Sequence, residues 1–175
     1  MIDMRPTTRL EQQILDNVEE FGCHITSVFP PEEDEGEEDE GEPGIVRFAY
    51  SIGFTETVGQ GEVIVFGFST KLAASLINGM LELCRDGLEM DDWCEVPGLL
   101  EGHPVMLREV EPANLVEDFF NSAIWFSRRL TGKPLSRAFQ IVWPGAHDGL
   151  YPWQPGCARS TIDEQPPLYR TSLNS

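Results

Sequence analysis

The residue types able to do chemistry gather in two places. From Gln140 to Cys157 the chain reads Gln-Ile-Val-Trp-Pro-Gly-Ala-His-Asp-Gly-Leu-Tyr-Pro-Trp-Gln-Pro-Gly-Cys, with two tryptophans and a His-Asp pair. Most connections are polar, and a loop this aromatic is held only by packing on its own sheet, a ligand or a partner chain. His147 and Asp148 are of types that act as base or metal ligand. Adjacent residues rarely point the same way, however, so the two are not a preassembled dyad. Asp148-Gly149 also reads as the turn of a hairpin between Trp143 and Tyr151. Gln140, Trp143, Tyr151 and Trp153 are the binding candidates of this stretch.

The second place is Tyr50-Ser51-Ile52-Gly53-Phe54 and, beyond it, Glu62. Tyr50, Ser51 and Glu62 are polar groups near the ends of apolar strands, where ligand-orienting groups usually sit. Glu62 or His147 acting as acid or base, with Tyr50 orienting a small polar substrate, requires convergence to about 3 Å, or one water further. Ser51 lacks the Gly-x-Ser-x-Gly frame of a nucleophile elbow, so a serine hydrolase is disfavoured. Gly67-Phe68-Ser69-Thr70-Lys71 lacks the P-loop frame and reads as an ordinary capped helix start. No catalytic residue is assigned from residue type alone.

Charge narrows the partners. The 175 residues carry a formal charge of -18, from 30 acids against 12 Lys and Arg. Nine of those acids stand between Glu32 and Glu42, interrupted only by Gly36 and Gly41 and bracketed by Pro30, Pro31 and Pro43. Such a block repels itself and has nothing to bury, so residues 31–44 read as a disordered loop between two strands. Its spacing is not that of an EF-hand. Without it the chain remains acidic, and its scattered Lys and Arg do not form the cluster that nucleic acid requires. A basic protein recruited by the acidic loop is a further reading, and it predicts steep salt dependence.

Cys23, Cys84, Cys94 and Cys157 form no Cys-x-x-Cys unit, so no metal site is expected, and no cofactor is indicated. No stretch approaches the ~20 apolar residues of a membrane span. The expectation is a cytoplasmic protein with reduced thiols and no membrane partner.

The elements that position these residues follow from periodicity. Leu10, Ile14, Val18 and Phe21 share a helix face that starts near Thr7 or Thr8 and stops at Gly22. Residues 23–29 form a strand, residues 46–52 a half-buried strand and residues 63–68 a central one. The last two are joined by about ten residues including Gly53, Gly59 and Gly61, too few for a helical crossover, so they pair antiparallel. Leu72, Leu76 and Met80 mark a second helix, capped by Ser69 or Thr70 and ended by Gly87. Residues 88–100 read as loop with one short strand, and residues 103–110 as a strand.

Pro112 opens a third helix with Leu115, Phe119, Ala123 and either Ile124 or Phe126 inward. Glu117 and Asp118 match its positive end, and Arg128 and Arg129 its negative end. Residues 138–143 form the last strand, which delivers the chain to the aromatic loop. Residues 159–175 read as a polar tail on the surface or frayed. Together these make a single α+β domain over 1–175, with a mostly antiparallel sheet of five to six strands packed by about three helices.

The order Phe48-Ala49-Tyr50-Ser51-Ile52-Gly53-Phe54, Val63-Ile64-Val65-Phe66-Gly67-Phe68, Gln140-Ile141-Val142-Trp143-Pro144 and Tyr151-Pro152-Trp153 resembles the bacterial domain-of-unknown-function family 4262, over about residues 14–157. The resemblance implies that Tyr50, Gly53, Glu62, Gln140, Trp143, Pro144, Pro152 and Trp153 are motif positions. It brings no activity, substrate or cofactor. Two places depart from it: Gln60-Gly61-Glu62 stands where members often read His-Pro-Glu, and Gly145 where an aspartate commonly follows Trp-Pro. The functional expectation is binding of a small ligand or protein partner by the aromatic loop 143–153 and the Tyr50 strand. The alternative is an enzyme drawing on Glu62, His147 or Asp148.

Overall fold

The structure is a computed structural model that describes residues 7–29 and 46–171. The acidic block expected to form a disordered loop lies outside the described residues. Helix α1 (Arg9–Phe21) opens with a capping box: Thr8 Oγ1 accepts from the Glu11 amide while the Glu11 carboxylate accepts from the Thr8 amide. Gly22 ends it with φ 95°, a conformation that costs glycine little. Strands β1 (His24–Val28) and β2 (Phe48–Ile52) follow, then a short helix α2 (Phe54–Val58), strand β3 (Glu62–Phe66) and helix α3 (Thr70–Arg85). Ser69 caps α3 by accepting from the Leu72 amide. Strands β4 (Cys94–Leu100) and β5 (His103–Glu109) lead through a single 3-10 turn at Pro112–Asn114 to helix α4 (Glu117–Thr131). Strand β6 (Ala138–Val142) and a short helix α5 (Arg159–Asp163) are the last elements among the described residues.

One six-stranded sheet holds these elements, in the order β1-β2-β3-β6-β5-β4. Every neighbouring pair is antiparallel except β3 and β6, which run parallel with Glu62 opposite Ala138. The expected antiparallel pairing of residues 46–52 with 63–68 is present, with α2 folded into the connection. Five residues in a glycine-rich loop are too few to show a helical period in sequence.

Both faces of the sheet are covered. On one, α3 packs Leu76, Ile77 and Met80 onto Val63, Val65, Phe139 and Ile141. On the other, α1 and α4 bury Ile14, Phe120 and Ala123 against Phe48, Tyr50, Ile64 and Phe66. The apolar stripe expected on α1 is used only at its centre: Leu10 is 56% and Phe21 60% exposed, while Val18 packs against this core. In α4 the inward residues are Phe120, Ala123, Ile124 and Phe126, with Phe119 only partly buried.

In the β5–β6 half of the sheet the α1–α4 layer reaches only Ala138, at the start of β6, and Val110, just past β5. There the covering is the chain after β6, residues 143–170, which the sequence suggested would end as a surface or frayed tail. Leu168 and Tyr169 are instead buried, Tyr169 bridges Val110 as a further antiparallel pair, and Leu168 O accepts from the Glu111 amide. Polar composition hid this docking, because the segment is held by hydrogen bonds to buried side chains.

Candidate functional site

On the face covered by the C-terminal segment, β5 and β6 place Met106 opposite Val142 and Arg108 opposite Gln140. Cross-strand partners share a face of the sheet, so Arg108 and Gln140 lie side by side beneath that segment. Gln140 is fully buried; its Nε2 donates to Pro166 O (3.1 Å) and its Oε1 accepts from the Leu168 amide (2.9 Å). Gln165 answers from above: its Oε1 accepts from the Trp143 amide (2.9 Å) and its Nε2 donates to Trp143 O (2.9 Å) and Thr161 O (3.2 Å). The Trp143 indole N–H donates to Phe66 O (2.8 Å), and its ring stacks on Phe68. Trp143 is thereby part of the core.

The chain then turns through His147 and Asp148. Asp148 Oδ1 accepts from the Leu150 amide (2.9 Å) and Oδ2 from the Ala158 amide (3.3 Å). The turn is present but the expected hairpin is not: the Gly145 amide bonds Leu150 O, and among the described residues no strand follows β6. A Cβ at Gly145 would collide with the Asp148 carboxylate. The carboxylate of this turn thus comes from Asp148 and fills the space a side chain at 145 would need. His147 is exposed on the same turn.

Beyond it Tyr151 is buried, donating its hydroxyl to Pro104 O (3.3 Å) and stacking on Trp153 at 5.1 Å and 7°. Trp153 meets Trp93 and Tyr169 edge to face, at 5.1 and 5.8 Å. Into this group comes the Arg108 guanidinium, 3.6 Å from the Trp93 ring centre, 4.4 Å from Tyr169 and 5.2 Å from Trp153. Arg108 is only 5% exposed, yet its charge is matched: Nε donates to Asp92 Oδ1 (2.9 Å) and Nη2 to Arg170 O (3.3 Å). A buried charge without such partners would cost several kcal/mol, on the order estimated for an unpaired ion. Burial pushes the Tyr169 phenol up to about 12, with Arg108 pulling it down, so it stays a neutral donor at physiological pH.

Trp93 anchors the mouth. Its amide donates to Leu107 O (2.8 Å), its indole is 51% exposed, and its φ is 63°. It is the one positive-φ residue other than glycine among the described residues. A bulky side chain in the left-handed region is strained, and such strain collects at ligand sites. The rings, Arg108 and the 165–171 segment enclose a cleft of about 690 Å³, within the usual span for small-molecule pockets.

The remaining candidates lie elsewhere. Tyr50 is buried against Phe120, and its oxygen accepts from the Ser122 amide (3.1 Å) on the α4 face. Ser51 donates to Glu62 Oε1 (2.7 Å) and accepts from the Val63 amide. Glu62 also accepts from the amides of Gly53 (2.8 Å) and Phe54 (3.0 Å), closing the link between β2 and α2. Burial pushes its carboxyl up to about 7, outweighing the three hydrogen bonds that favour the anion. Gln60, standing in place of the resemblance's histidine, fastens residues 88–90: Nε2 donates to Leu88 O and Oε1 accepts from the Met90 amide.

Glu62 and the His147 turn are at opposite ends of the parallel pair β3–β6. Four residue steps of β6, roughly 13 Å at strand rise, separate Ala138, Glu62's partner, from Val142, where the loop begins. These groups therefore do not converge. Sequence reasoning missed Asp92, Trp93, Arg108, Gln165 and Tyr169. The signal available was an aromatic in each of two polar stretches, Trp93 and Tyr169.

Among the described residues no cluster of three or more His, Cys, Asp or Glu suits a metal ion, and no helix is long and apolar enough to cross a membrane. All four cysteines are unpaired.

A single α+β domain built on this mixed six-stranded sheet is the class the fold defines. The family model described as "Domain of unknown function (DUF4262)" matches residues 17–158, and the chain belongs to that family. No curated protein and no solved structure matches the chain.

Proposed function

We propose that this protein binds a small, flat organic molecule in the cleft between Trp93, Arg108, Trp153 and the 165–171 segment. The observation that carries the reading is the state of Arg108. Its guanidinium is nearly buried among three rings, yet among the described residues Nη1 makes no hydrogen bond and no buried side-chain nitrogen or oxygen is left unpartnered. Nη1 is therefore not fully enclosed, and Arg108 lines the cleft. A preorganised cation with donors to spare, beside a half-exposed indole, is how apolar pockets orient a polar ligand. The reading keeps the aromatic loop as a working surface through Trp153, which Tyr151 backs by stacking, and drops the Tyr50 strand from it.

The test is a thermal-shift and tryptophan-fluorescence screen with flat fragments of varied charge. Fragments that raise the melting temperature should perturb tryptophan emission and lose their effect in Trp153→Ala. A screen in which no flat fragment shifts the wild-type protein would overturn the proposal.

A further inference from the structure

Resting on that reading of the cleft, we infer that its ligand is a zwitterion: a carboxylate and an ammonium close together on a flat apolar body, the chemistry of a free aromatic amino acid. Asp92 is the second half of the argument. Its Oδ1 is used twice, accepting from Arg108 Nε (2.9 Å) and from the Glu109 amide (3.0 Å). Oδ2 accepts no hydrogen bond from the described residues, and the side chain of Asp92, which lines the cleft, is 40% exposed. One ion pair lining the cleft thus carries a cationic donor, Arg108 Nη1, and an anionic acceptor, Asp92 Oδ2, that no described residue uses. Arg170, the third charged residue of the lining, already has a partner.

Each simpler ligand leaves something unmet. A plain anion pairs with Arg108 but faces Asp92 and a chain of net charge -18. A plain cation pairs with Asp92 but faces a guanidinium fixed by Trp93 and Arg170 O. A neutral ring leaves both charges to water. A zwitterion gives its carboxylate to Nη1 and its ammonium to Oδ2, two charge-assisted hydrogen bonds at no net charge. Its ring then has the open part of Trp93 and the apolar wall of Pro152, Ile162 and Pro167.

The experiment is calorimetric titration of the full chain with L-phenylalanine, 3-phenylpropionate, 2-phenylethylamine and benzyl alcohol. L-Phenylalanine should bind at least tenfold more tightly than each of the other three, and Asp92→Asn should reduce it to the affinity of 3-phenylpropionate. Thermal melts of that variant confirm that it is folded before it is titrated. Equal or tighter binding of 3-phenylpropionate or 2-phenylethylamine overturns the zwitterion while leaving the cleft a binding site. No binding by any of the four also overturns it, and the fragment screen then decides separately whether the cleft binds anything.

Discussion

Gln140 and Gln165 hold each other's stretch of backbone: Gln140, in β6, bonds the main chain at Pro166 and Leu168, and Gln165 bonds the main chain of Trp143, just past the end of β6. Two side-chain amides thus do the work of a strand ladder and convert a polar tail into the roof of a cleft. Removing either amide strands buried backbone groups, each worth about 1–3 kcal/mol when left unpaired.

Gln165→Ala should therefore lower unfolding stability by about 2–3 kcal/mol in urea titration, with faster hydrogen exchange at the Trp143 amide. Gln140→Ala should do the same at the Leu168 amide. Because both release one segment, the double variant should lose less than the sum of the two. Strict additivity would mean that the segment is not docked as a unit.

Glu62 makes stability depend on pH in a direction opposite to that of a salt-bridged carboxylate. Its folded value of about 7 stands above the ordinary 4.5, so the folded chain holds this proton more tightly than the unfolded one. The contribution is fully present below 4.5 and is lost as pH rises through 7, up to about 3 kcal/mol. Glu62→Gln removes the titration and turns an amide toward one of three donors, so it should be less stable at pH 5. Its deficit against wild type should shrink between pH 5 and pH 8 in paired denaturant melts. A deficit that stays constant, or grows toward pH 8, would sink the assignment.

Arg108→Lys tests the flat stacking and not the charge. Lysine keeps the cation but loses the planar contact at 3.6 Å from Trp93 and the Nε bond to Asp92. A loss of about 1–2 kcal/mol is expected, with Trp93 more open to acrylamide quenching. Unchanged quenching would show that the guanidinium does not hold the indole.

The elements were legible in sequence wherever a period and a cap agreed. Thr8 and Gly22 bound α1, Ser69 starts α3, and the strands around Tyr50 and Ile64 alternate or run apolar as buried strands do. The cleft was not, because its parts are polar residues buried by mutual satisfaction. An arginine in β5 reads as solvated until its ring neighbours are known, and they come from Trp93, Trp153 and Tyr169, far apart in the chain. Trp143 and Tyr50 are costly side chains with polar handles, as binding residues often are, but those handles bond backbone in the interior. Trp153 alone of the original aromatics stands in the wall of the cleft together with Arg108.

Trp93 combines a φ of 63° with a ring held on Arg108, and two substitutions separate these terms. Both Trp93→Ala and Trp93→Gly remove the ring and its contacts with Arg108 and Trp153. Only alanine keeps a Cβ in the left-handed region, at a cost of roughly 1–2 kcal/mol, partly offset by the greater freedom glycine gives the unfolded chain. The glycine variant should therefore be more stable than the alanine variant by up to about 1 kcal/mol, read as a higher urea midpoint at equal slope. If alanine proves the more stable, the backbone at 93 relaxes without the ring, and it is the stacking on Arg108 that imposes the strained conformation. If glycine does, the conformation belongs to the turn itself, with Trp93 placed at the mouth of the cleft despite its cost.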